Sequence, residues 1–188
     1  MVKILCEGVG DQKFLSRLLD YLGIAYCKDN FQIMRSKTFF FQQNHANYKA
    51  LSQAIDNQEV TALLFILDAD NNDSDEKRGG YENSLTAIEE LIEEKSWQTI
   101  SRVFIACDPV TQIGCLESLI YATLPEEQQH CIDNFIACSG VQFGHGCKHK
   151  PILFNIFRSV WGKPEKIETF EHEHFSELKE TLRAVFDC

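Results

Sequence analysis

The chain contains no Cys-x-x-Cys pair and no low-complexity stretch, and none of its apolar runs approaches the roughly 20 residues that cross a bilayer. Those absences argue against the usual zinc ribbons and a helical membrane protein. Proline is scarce, with 4 spread along 188 residues, and neither a linker nor an internal repeat is visible. Basic residues are outnumbered, 18 Lys and Arg against 28 Asp and Glu, for a net charge of −10. Such a surface is repelled by phosphate backbones, which argues against a generic nucleic-acid coat but leaves room for a local metal-assisted site. The 8 cysteines include Cys6 and Cys107 inside apolar runs, where a thiol acts as a small hydrophobe. The chain opens Met1-Val2-Lys3-Ile4 without a signal-peptide pattern, so the cysteines are expected to be reduced and the protein cytoplasmic.

What is present is an alternation of short apolar runs and amphipathic stretches. Val2–Cys6, Phe31–Met34, Ala62–Leu67 and Val103–Cys107 read as strands. The third has no polar residue and the first only Lys3, as expected of strands covered on both faces. Phe14, Leu15, Leu18, Leu19 and Leu22 mark a helix, with Asp11 placed to cap it and Gly23 to end it. A second helix is expected near Tyr48–Ile55, and a third from Leu85, Ile88, Leu91 and Ile92. After Gly114 the pattern turns helical through Leu116–Leu124, Glu126–Ala137, Pro151–Trp161 and Phe175–Phe186. The expectation is an α/β protein, Rossmann-like, with a parallel right-handed sheet flanked by helices. It is read as one domain over 1–188, with a core over about 1–110 and a helical extension over about 111–188.

Acidic residues close two of the apolar runs: Glu7 follows Cys6, and Asp68-Ala69-Asp70 follows Leu67. Ligands of parallel sheets gather off the carboxyl ends of the strands, so Glu7, Asp68 and Asp70 are expected to converge. On an extended strand the two Asp side chains would share a face, because the side-chain period is two. Three uncompensated carboxylates at one point repel unless a cation neutralises them, and hard oxygen ligands suit Mg²⁺ or Mn²⁺. The bland alternative is polar punctuation where strands reach solvent.

The run Val2-Lys3-Ile4-Leu5-Cys6-Glu7-Gly8-Val9-Gly10-Asp11-Gln12-Lys13-Phe14-Leu15, followed by Phe65-Ile66-Leu67-Asp68-Ala69-Asp70, resembles the TOPRIM domain of topoisomerases, bacterial primases, the recombination-repair protein RecR and OLD-family nucleases. The resemblance covers about residues 1–110. As a whole the chain is most similar to a stand-alone bacterial TOPRIM-related family without an assigned function, in which a Gly-x-Leu-Glu motif follows the last core strand. Gly114-Cys115-Leu116-Glu117 is similar to that motif. The resemblance implies that Asp68 and Asp70 hold Mg²⁺ or Mn²⁺ and that Glu7 is a further ligand or the general acid/base. Glu117 would complete the site or supply half of a two-metal centre, as in the OLD nuclease branch. Its alternative is a Glu in the first turn of a helix, favoured by the macrodipole. Asp11 is either an N-cap or an outer-shell ligand.

Other residues carry weaker signals. Asp73 and Asp75 lie in a polar segment and are expected to be solvated. His145, Cys147 and His149 lack a fourth ligand at zinc-like spacing, so a glycine-bent loop bringing Lys148 and Lys150 toward phosphate is preferred to a zinc site. A solvated basic face is the competing reading for those lysines and Arg158. His172 and His174 alternate with glutamates as a hydrated approach to the last helix, and Phe39-Phe40-Phe41 suits core or edge-strand packing better than base stacking.

Two functions compete. One is divalent-metal-dependent phosphodiester chemistry on DNA or RNA, most simply a nuclease. The other is a non-catalytic binding or regulatory module with a protein partner in a larger complex. Primase-type nucleotidyl transfer would need a nucleotide-binding surface that the sequence does not display.

Overall fold

A computed structural model describes residues 1–71, 77–139 and 170–187. The chain falls into two compact units: Met1–Leu67 with Ser84–Ile105 and Ser176–Cys188, and Asp68–Asn83 with Ala106–Phe175.

The first unit is built on a four-stranded parallel sheet: β1 (Val2–Cys6), β2 (Phe31–Ile33), β3 (Ala62–Asp68) and β4 (Ser101–Ala106), in the order β2-β1-β3-β4. Ile4 pairs with Phe31 on one side of β1 and with Leu64 on the other. Every residue of β3 is buried, which is why its sequence is apolar without alternation. Chain order reverses direction across the sheet between β1 and β3, and the crevice of an open α/β sheet lies off the carboxyl ends of strands at such a switch point. Glu7 follows β1, and β3 ends on Asp68.

Helices α1 (Val9–Leu22), α2 (Lys37–Phe40), α3 (Ala46–Asp56) and α4 (Tyr81–Glu94) connect the strands, and α7 (Ser176–Phe186) closes the chain. Phe14, Leu15, Leu18 and Leu19 of α1 are buried as their spacing predicts, and α1 meets α7, whose Leu178, Leu182 and Val185 are buried. Each such side chain is worth about 1.5–3 kcal/mol when removed from water. Gly23 ends α1 in the left-handed region (φ 69°), with its N–H on the Asp20 carbonyl at 3.1 Å and that of Ile24 on Leu19 at 3.0 Å. The start differs from expectation. Gly8, not Asp11, is the N-cap, and Asp11 sits in the first turn, its Oδ2 accepting the Gly8 N–H at 2.8 Å. The helix begins that early because Gly8 takes the extended cap geometry (φ −141°) and the carboxylate satisfies its N–H from within.

The three consecutive phenylalanines form no edge strand: Lys37–Phe40 is helical, Phe40 is fully buried, and Tyr48 donates its hydroxyl to the Phe40 carbonyl at 2.7 Å. Burial also pushes the Tyr48 phenol above its ordinary value.

In the second unit, α5 (Leu116–Ala122) and α6 (Glu126–Ser139) realise two of the expected helices. Tyr121 donates to Asp133 at 2.7 Å, bracing one against the other. The expected helix Pro151–Trp161 lies outside the described residues. Among the described residues no helix is long and apolar enough to cross a membrane.

Candidate acidic site

In the second unit the Asp-x-Asp and Gly-x-Leu-Glu segments are knotted together by backbone. Asp70 and Gly114 form an antiparallel bridge, with the Asp70 N–H on the Gly114 carbonyl at 2.6 Å and the Gly114 N–H on the Asp70 carbonyl at 2.9 Å. Asp68 Oδ1 accepts the Leu116 N–H at 3.0 Å, capping the first turn of α5. Around this knot the Ala69 N–H bonds the Ala106 carbonyl at 2.9 Å, Gly80 bonds Ala69 at 2.8 Å and Tyr81 bonds Gln112 at 3.1 Å. Both sides of the acidic tip are therefore held by main chain.

Two residues make the knot possible. Gly114 has φ 99°, and a Cβ on it would stand 2.3 Å from Ser118 Oγ, so only glycine fits there. Asp70 has φ 59°, a left-handed value that a short polar side chain tolerates. This corrects one expectation: β3 ends at Asp68, and the chain turns at Asp70, so the two carboxylates are not alternate residues on one extended strand.

Asp68 and Glu117 are 6% and 3% exposed, so both acidic groups are almost wholly out of water, whereas Asp70 is half-buried. Glu117 lies in the first turn of α5, as its structural alternative anticipated, and by the same geometry sits one residue from the amide that Asp68 holds. Cys115, between the two motif ends, places its sulfur 3.0 Å from Glu117 Oε2. It is disulfide-bonded, so the expectation of reduced cysteines does not hold at this position. Cys6, Cys27, Cys107, Cys131 and Cys138 are free.

Glu7 belongs to the first unit, half-buried immediately after β1. The neighbouring Cys6 thiol reports the local field. Its pKa is raised from 9.0 to about 12, mainly by burial and further by the Asp11 and Glu7 carboxylates. Asp11 is thus a helix-start residue that adds negative charge at the end of β1.

The donor set is of the type that hard divalent cations take, being carboxylate oxygens alone. Its grouping falls short of a preformed cage: among the described residues no three His, Cys, Asp or Glu side chains are gathered at metal-holding distance. Lys148 and Lys150, with His145, Cys147, His149, Arg158, Asp73 and Asp75, lie outside the described residues. His172 and His174 are half-buried with rings 4.4 Å apart, the His174 N–H on His172 Nδ1 at 3.2 Å, and so are partly sheltered rather than fully hydrated.

Sequence reasoning missed Asp108 and Ser118. Asp108 Oδ1 accepts the N–H groups of Val110 and Thr111 at 3.0 and 2.8 Å and the Thr111 hydroxyl at 3.0 Å, winding the loop that delivers Gly114. The Asp-Pro pair after a strand, a common turn opener, was the available signal. Ser118 Oγ accepts the Cys115 N–H at 3.3 Å, an ordinary helix-start bond that sequence alone cannot distinguish from solvation. No protein-family model, curated protein or solved structure matches the chain.

Proposed function

We propose that the knotted acidic site serves divalent-metal-dependent phosphodiester chemistry on nucleic acid, as a nuclease of TOPRIM-like type. The observation that carries this reading is the stapling of Asp68 and Asp70 to the Gly114–Glu117 segment, which brings together two motifs separated by more than forty residues of sequence. Asp68, Asp70 and Glu117 would hold Mg²⁺ or Mn²⁺. One N–H bond leaves a carboxylate with acceptor capacity to spare, since its two oxygens offer about four lone-pair sites. The ion would supply electrostatic stabilisation of the charge that builds on a phosphate in the transition state. Glu7 enters through the order of the motifs, Glu before Asp-x-Asp, as the group that takes a proton from water or returns one to the leaving oxygen.

A second reading is favoured by a specific observation: Asp68 and Glu117 are buried, and the described acids form no cage of three. A non-catalytic module would keep these carboxylates for the bonds they make in the fold and use its surface to join a larger complex. Incubation of the purified protein with end-labelled DNA and RNA, with Mn²⁺ or Mg²⁺, separates the two. The nuclease reading expects metal-dependent cleavage that falls at least about a hundredfold in Glu7→Gln and in Asp70→Asn, the scale of a lost general acid/base or ligand. Cleavage that is equal in wild type and both variants, or absent under every metal, leaves the binding module standing.

A further inference from the structure

In the first unit, the carboxyl edge of the sheet carries an exposed cation beside Glu7. Ile33 of β2 pairs with Cys6 of β1, and the Met34 N–H continues that ladder to the Cys6 carbonyl at 2.8 Å. Glu7 and Met34 therefore leave the sheet as neighbours, and Arg35 follows Met34 before Ser36 caps the start of α2. Arg35 and Glu7 both belong to the edge where ligands of open α/β sheets bind.

Two properties set Arg35 apart. Its backbone has φ 73°, the left-handed region that is costly for a residue with a Cβ and that glycine enters freely. Gln58 and Ser96 are left-handed too, but they lie just past α3 and α4, where helices commonly end that way. Arg35 follows a strand, and a glycine would make the same turn without strain. Nor does the side chain serve the fold: Arg35 is exposed, and its guanidinium makes no ion pair or hydrogen bond among the described residues. A long cationic side chain kept in a strained turn beside Glu7 is the kind of outlier that functional sites carry.

We infer that Arg35 binds a backbone phosphate of the nucleic-acid substrate. The inference rests on the phosphodiester reading above and adds to it a substrate-binding residue. Carboxylates repel a phosphodiester, and at a net charge of −10 the surface at large does so too. A planar guanidinium offers two parallel N–H bonds to the two non-bridging oxygens, which orient the phosphate as well as attract it. The start of α1 does not take that part, because the Asp11 carboxylate already occupies its first turn and holds the Gly8 N–H.

The test compares the full chain with Arg35→Gly, Arg35→Lys and Lys49→Gln, the last removing an equal charge from an exposed position of α3. Arg35→Gly should melt no lower than the wild type, because the strain leaves with the side chain. Binding of a fluorescent single-stranded DNA oligonucleotide is read by anisotropy with Ca²⁺ in place of Mg²⁺. In Arg35→Gly it should weaken about tenfold, and the slope of log affinity against log salt should lessen by about 0.7, one single-strand phosphate. Arg35→Lys should keep the slope and lose part of the affinity, since the charge remains but the fork is gone. Lys49→Gln should match the wild type in both. Where the wild type cleaves DNA, kcat/KM of Arg35→Gly should fall at least about tenfold. Cleavage by the wild type with Arg35→Gly equal to it in binding and rate would overturn the inference and leave the nuclease reading standing. Weakened binding in Arg35→Gly alone, with no cleavage by the wild type, would do the reverse. Arg35→Gly melting below the wild type, Lys49→Gln losing as much as Arg35→Gly, or a wild type that binds no oligonucleotide would each overturn the inference as well.

Discussion

Replacing Gly114 by Ala tests whether the knot holds the acidic site together. The backbone there has φ 99°, a region in which an L-residue costs about 1–3 kcal/mol. The new methyl would also stand 2.3 Å from Ser118 Oγ and 2.9 Å from Ser118 Cβ, distances that real carbon atoms do not keep. Relief of the Oγ contact requires rotating Ser118, which gives up the bond from the Cys115 N–H worth about 1 kcal/mol, and relief of the Cβ contact requires easing Gly114 away from Asp70. The two contributions together come to about 2–4 kcal/mol. For a chain of this size each kcal/mol lowers the melting midpoint by about 2–4 °C, so Gly114→Ala should melt about 4–16 °C below the wild type. Calorimetry or circular dichroism reads that shift. Ser118→Gly in the same background removes both close contacts but not the left-handed strain. It should therefore recover at least about 1 kcal/mol relative to the sum of the single changes, a coupling of the size seen between touching residues. A Gly114→Ala protein melting within about 2 °C of wild type, or a cycle without coupling, would refute the account of the knot.

Two further predictions concern the carboxylate and the thiol that flank the proposed chemistry. Asp68→Asn keeps an oxygen for the Leu116 N–H and should fold within about 1 kcal/mol of wild type while losing metal-dependent activity, whereas Asp68→Ala orphans that buried N–H and should cost about 1–3 kcal/mol in a denaturant titration; equal stability of the two variants would remove Asp68 from the capping role. Because the folded Cys6 pKa is raised from 9.0 to about 12, its stabilising contribution is whole below pH 9 and is lost as pH rises toward 12, up to about 4 kcal/mol. Unfolding free energies of wild type and Cys6→Ala at pH 8 and near 11 read this difference, and parallel pH slopes for the two proteins would contradict it.

The sheet was legible because burial on both faces leaves a strong mark: Ala62–Leu67 is apolar at every position, and all of β3 is buried. The stripe of α1 and its Gly23 stop were legible for the same kind of reason, since spacing and a left-handed terminus both constrain residue type. What escaped reading was backbone direction at the acidic tip. Periodicity assumes that a strand continues, and nothing in Asp68-Ala69-Asp70 announces that Asp70 turns to φ 59°. Nor does composition reveal that Asp68 caps a helix opening at residue 116, a bond between positions 48 apart. The Gly-x-Leu-Glu segment could be named from its residues, but its partner in space could be assigned only from the fold.

That partnership gives the spacing of the second motif a physical reason. Gly114 permits the close approach to Asp70, the Leu116 amide is then placed for Asp68, and Glu117 follows as the next residue of the same turn. None of the three can shift alone: moving Glu117 by one position would place it on another face of α5, and a side chain at 114 would push the segment off the strand end. The acidic residues of the tip are consequently fixed by main-chain bonds, and the proposed chemistry would draw on that preorganisation. A purely structural role would need Asp68 as a cap, Gly114 as a turn and Glu117 for the contacts it makes within the fold, its Oε2 standing 3.0 Å from the Cys115 sulfur. On the proposed chemistry the same Glu117, 3% exposed and one residue from the amide that Asp68 holds, would be the ligand that completes the acidic set.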